Sequence, residues 1–110
     1  MFLDGPNGSE RLVMTSDTTW VWEATIIAHR TDVAEHAGFK LRGVIYCGAS
    51  LNSIAMLGQP TKEILARSNS SWDVAASADT TQGSLKLTVQ GAAGSTIRWM
   101  AVVETTEITN

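Results

Sequence analysis

The segment TTWVWEATIIAHRTD, residues 18–32, constrains the fold more than any other stretch of this chain. Successive side chains of an extended strand point to opposite faces of a sheet, so residues two apart share a face. On that period Trp20, Trp22, Ala24, Ile26 and Ala28 form one apolar face, while Val21, Glu23, Thr25, Ile27 and His29 form a mixed one. A long strand with one side in a core is expected.

The same alternation recurs between clusters of turn-forming residues. Phe2 and Leu3 start a strand that DGPNGS interrupts and Arg11 to Met14 resume. In AGFKLRGVIYCG (37–48) Phe39, Leu41, Gly43 and Ile45 oppose Lys40, Arg42, Val44 and Tyr46, and a mid-strand Gly43 points to a bulge or a close backbone contact. SIAML (53–57) reads as a short strand closed by GQP. TKEILAR (61–67) reads as another, since seven residues are short for an isolated helix; a helical turn capped by Thr61 is the alternative.

WDVAASA (72–78) sets Trp72, Val74, Ala76 and Ala78 against Asp73, Ala75 and Ser77. In SLKLTVQ (84–90) Leu85, Leu87 and Val89 share the apolar side. The last run places Ile97, Trp99, Ala101 and Val103 together, but Met100 and Val102 fall on the other face between Arg98 and Glu104. Either more protein covers that outer face, or two apolar side chains stand in water.

Eight strand candidates at short spacing, without a convincing helix between them, predict an all-β chain: an antiparallel β-sandwich, jelly-roll-like. At 110 residues it is one domain, 1–110. Charged residues make up 17% of the chain against a usual value of about 25%, and Thr, Ser, Gly and Val are frequent, which favours sheet.

Charge and composition also exclude function classes. A formal net charge of -3 and a pI near 5.2, with Lys and Arg dispersed, argue against a nucleic-acid partner, which needs clustered cations. The single Cys47 cannot form an internal disulfide and suggests synthesis in a reducing compartment. No apolar run reaches the roughly 18 residues of a membrane span. The opening MFLDGPNGSE lacks the basic and apolar parts of a signal peptide.

Catalytic chemistry is hard to assemble from these residues. His29, Asp32, Glu35 and His36 are four metal-binding side chains within eight positions, but their spacing matches no standard ligand pattern and reads as a solvated turn. A metal shared on an oligomer axis, through His29 or His36 of each chain, is the version that survives. Cys47 ends an apolar strand and reads as a buried, inert thiol. The serines lack a glycine-flanked elbow, and neither histidine has a motif that would make it a base.

Asp17, Asp32, Asp73 and Asp79 fall at strand ends and turns, where local hydrogen bonding accounts for them better than paired-carboxylate glycoside hydrolysis. Trp20, Trp22, Trp72 and Trp99 lie on apolar faces and read as core; of the four, Trp20 or Trp72, first in their strands, ranks highest for partial exposure. GAAG (91–94) lacks the helix and Lys-Ser/Thr pair of a phosphate loop and reads as a turn. No catalytic, cofactor-binding or metal-binding residue is assigned.

Taken together, FLDG (2–5), TTWVWEATIIAHRTD (18–32), AGFKLRGVI (37–45) and WDVAASADTTQGSLKLTVQGAAGSTIRWMAVVETTEIT (72–109) resemble the C-terminal β-sandwich domain of tailed-bacteriophage tail fibre and tail spike proteins. The combined pattern of WDV, ADTT, VQGAAG, IRW and VETTEI carries the resemblance, which covers nearly the whole chain outside residues 46–71. It implies a virion location, a β-sandwich and a homotrimer, and supplies no catalytic motif.

The resulting expectation is a non-enzymatic virion protein made in the host cytoplasm, the trimeric receptor-binding tip of a fibre or spike that contacts other virion proteins and a bacterial surface component such as a polysaccharide. In that family the domain normally follows a shaft, whereas Met1 stands directly before FLDG. The chain is then either a piece of a longer protein or a small free-standing virion protein, and the second case makes a capsid decoration or cement protein the alternative expectation. Under the resemblance Met100 and Val102, with Val21 and Ile27, are the expected contacts between chains.

Overall fold

The computed structural model describes residues 9–91 and 97–109. Seven strands are found among them: β1 (Ser9–Val13), β2 (Thr18–Arg30), β3 (His36–Cys47), β4 (Ala55–Arg67), β5 (Asp73–Asp79), β6 (Ser84–Gln90) and β7 (Ile97–Thr109). A single 3₁₀ turn, Leu51–Ser53, precedes β4. The strands form two antiparallel sheets, of order β1-β6-β5 and β4-β3-β2-β7. The all-β antiparallel sandwich expected from the sequence is what the chain forms.

The two layers differ in length. β2, β4 and β7 have 13 residues each and β3 has 12, whereas β1, β5 and β6 have 5 to 7. Between them lies one core. Trp20, Trp22, Ala24, Ile26, Ala28, Phe39, Leu41, Ile45, Ile97, Trp99 and Ala101 meet Val74, Leu85, Leu87 and Val89 of the short sheet, with Trp72 entering just before β5. Trp99 links the layers, its ring centroid 6.3 Å from Phe39 and 6.1 Å from Trp72, separations at which aromatic pairs attract. Met14 and Ile54, from segments joining strands, belong to the same cluster.

Seven strands stand where the sequence suggests eight because SIAML and TKEILAR merge into β4. The intervening Gly58-Gln59-Pro60 does not end the strand. Leu57 pairs with Val44 and Thr61 with Arg42, so all three residues bulge out opposite Gly43. β4 is an edge strand, where a proline lacking an N–H costs no ladder bond, and Gly58 adopts φ 74°, a conformation open to glycine. The helical alternative for TKEILAR is thereby ruled out. Both alternatives offered for Gly43 are found: it sits at the register shift, and Trp22 packs against it.

All four tryptophans are in the core, as their faces indicate; of the two ranked highest for partial exposure, Trp20 is 7% exposed and Trp72 is fully buried, so neither is a surface ring. Trp72 is covered because the turn before β5 folds it inward, and its carbonyl accepts a hydrogen bond from Arg67 Nη1 at 2.9 Å. The Phe2–Leu3 start, residues 4–8 of the DGPNGS turn and residues 92–94 of GAAG lie outside the described residues.

Candidate functional site

The inner face of β4-β3-β2-β7 is occupied by the core, which leaves the outer face as the largest surface whose side chains the fold sets in register. Reading across β3, β2 and β7, its rows are His36, His29 and Arg98; Gly38, Ile27 and Met100; Lys40, Thr25 and Val102; Arg42, Glu23 and Glu104; Val44, Val21 and Thr106; Tyr46, Thr19 and Ile108. On β4, Leu65 lies beside Gly38 and Leu57 beside Val44; a Cβ built on Gly38 would meet the Leu65 side chain at 3.9 Å.

All four residues expected to contact another chain are on this face and exposed: Val21 57%, Ile27 55%, Met100 40% and Val102 53%. They do not form one cluster. Ile27, Met100 and Val102 are adjacent, with Leu65 at the β4 end of the row. Val21 is six residues from Ile27, about 20 Å along the strand, and belongs to a second apolar group with Val44, Leu57, Tyr46 and Ile108. Val44 and Tyr46 already lie on the mixed face of the sequence pattern. Leu57 and Leu65 could not be placed from sequence, because β4 reaches its register only after two shifts.

A charged band separates the two apolar groups. Glu23 binds Lys40 Nζ at 3.2 Å and lies 3.8 Å from Arg42 Nε, so both cations on β3 are drawn to one carboxylate. Glu104 stands directly opposite Glu23 on β7 and makes no ion pair among the described residues. Like charges facing each other across a ladder are unfavourable. The band thus runs from basic on β3 to acidic on β7.

The four side chains His29, Asp32, Glu35 and His36 fall into two parts. Asp32 and Glu35 are held by Arg30, at 2.7 Å and 2.6 Å, which clamps the β2–β3 hairpin turn and engages both carboxylates. The Arg30 guanidinium lowers the Asp32 pKa by hydrogen bonding. His29 and His36 are cross-strand partners instead, with Nδ1 atoms 3.1 Å apart. No group of three or more metal-binding side chains exists among the described residues.

Cys47 is buried, and its thiol donates to the carbonyl of Ser50 at 3.5 Å. Of the other acids singled out in the sequence, Asp73 and Asp79 hold a strand end and a turn, while Asp17 stands between β1 and β2 with φ 55° and its N–H donates to the Gly48 carbonyl at 2.9 Å. Asp79 accepts from the N–H groups of Thr81 and Gln82 and from Arg11 Nε at 2.7 Å. Asp73 accepts from Lys62 Nζ at 2.8 Å, tying β5 to β4. The hollows found among the described residues are open to solvent, the one between β4 and β5 being lined by Leu41, Gln59, Pro60, Lys62 and Val74 among others. No helix among them is long and apolar enough to cross a membrane. No family model matches the chain, and no curated protein matches it.

Proposed function

We propose that this chain is a non-enzymatic virion module of a tailed bacteriophage, a homotrimeric receptor-binding tip of a tail fibre or spike whose subunits join through the outer face of β4-β3-β2-β7. The observation that carries the self-association is the exposed, contiguous group of Ile27, Met100 and Val102, continued by Leu65, on an otherwise regular sheet face. Large contiguous apolar patches on a protein surface mark interaction sites.

The charge band favours a second copy as that partner. A ring joins two different patches of neighbouring chains, and here the basic β3 side of one subunit complements Glu104 of the next, which makes no ion pair among the described residues of its own chain. The virion placement and the receptor-binding role rest on the sequence resemblance.

Adsorption tests the role. Purified protein is expected to bind host bacteria and to compete with phage infection; failure of both would defeat the tip reading. Labelling intact particles separates it from the alternative, because a capsid position would make the chain a decoration or cement protein.

A further inference from the structure

The end row of the outer face joins two imidazoles that sequence spacing alone would leave seven residues apart. His29 on β2 and His36 on β3 are directly opposite in the ladder, and both rings are exposed. Their Nδ1 atoms are 3.1 Å apart, with ring centroids 5.0 Å apart. We propose that His29 and His36 form a two-imidazole chelating site for a late first-row divalent cation, copper(II) ahead of nickel(II) and zinc.

The separation fits that chemistry. With metal–nitrogen bonds of about 2.05 Å, two ligand nitrogens lie about 2.9 Å apart at a right angle and about 3.3 Å apart at the tetrahedral angle, so the observed spacing falls between the two geometries. Imidazole suits these cations, and copper(II) heads their affinity order. Loading a pair of neutral imidazoles needs no net proton loss. The ring that donates in the pair moves its proton from Nδ1 to Nε2, and both Nδ1 lone pairs then face the ion.

The backbone holds both ligands in place before any ion arrives. β2 is paired on both sides, and His36 is fixed by its N–H donating to Ser68 Oγ at 3.0 Å and its carbonyl accepting from Ser68 N at 2.8 Å. The turn between them is clamped by Arg30 with Asp32 and Glu35. Those carboxylates are engaged there, so the remaining coordination positions go to solvent. Arg98, opposite His29 on β7, is a cation in the same row and opposes the incoming charge, which limits affinity. The site is complete within one chain and stands apart from the virion reading.

Isothermal titration of the full chain with copper(II), nickel(II) and zinc chlorides tests it, with His29→Ala, His36→Ala and the double variant alongside. One ion per chain is expected at this site, copper tightest. Each single variant should weaken copper binding by about a hundredfold, the low end of the gain from a second ligand already in position. The double variant sets the background from other donor groups, and metal-free melting should be unchanged in all three, since both rings are exposed. Traces of copper should broaden the ring-proton NMR signals of both histidines together. Equal copper affinity in wild type and single variants, no saturable binding, or broadening of one ring alone would each overturn the assignment.

Discussion

Gly43 and Trp22 are cross-strand partners packed so closely that a Cβ on Gly43 would stand 3.1 Å from Cζ2 of the indole and 3.3 Å from Cε2. The missing side chain makes room for the largest residue in that part of the core. At the same position the three-residue bulge of β4 leaves Gly43 without a ladder partner on β4. One glycine thus serves both core packing and strand register.

Gly43→Ala is therefore expected to destabilise the fold by about 1–3 kcal/mol, the usual cost of overpacking a filled core. Urea unfolding measures it. An unchanged midpoint would mean that the indole shifts freely and is not held by the core.

The tryptophans make a second test. All four are buried, three of them at 1% exposure or less. Native emission should be blue-shifted and resist iodide quenching, and both properties should be lost in urea. Strong quenching of the native protein would indicate an exposed ring, and with it a stacking surface for sugars.

Much of this arrangement is legible in the sequence, and the rest is hidden for identifiable reasons. The period-2 pattern locates β2, β3, β5, β6 and β7 and their inner faces, because alternation records which side of a strand is covered. It does not show that β4 continues through Gly58-Gln59-Pro60, since the tolerance for that proline comes from β4 being an edge. Nor does it show that β2 pairs with β7, an association across most of the chain that sets Thr25 beside Val102 and Ile27 beside Met100. The pairing of His29 with His36 depends likewise on hairpin register, which the count of residues between them does not reveal.

Acid should expose the contribution of Asp79. The Arg11 guanidinium hydrogen-bonds its carboxylate and, with the Thr81 and Gln82 N–H groups, holds its pKa below the ordinary aspartate value. A folded-state pKa below the unfolded one gives stability that is present above about pH 3.9 and is lost as pH falls through the folded value. Asp79→Asn should accordingly lower the urea midpoint at about pH 7, and the gap from wild type should close towards about pH 2. A gap independent of pH would show that the ionised pair contributes nothing.

Outer-face substitutions should separate assembly from folding. Val102→Asp places a carboxylate in the proposed seam and should weaken association by about a hundredfold, since an unpaired buried charge costs several kcal/mol. Lys86→Asp, on β6 in the other sheet, should leave association unchanged. Equal effects would contradict the assignment of the seam to β7.

In the proposed assembly the outer face of the four-stranded sheet joins copies of this chain. Light scattering on the purified protein at micromolar concentration tests this. A mass three times that of the 11.8 kDa chain is expected, falling towards one chain in Val102→Asp. A wild-type mass equal to one chain would contradict it.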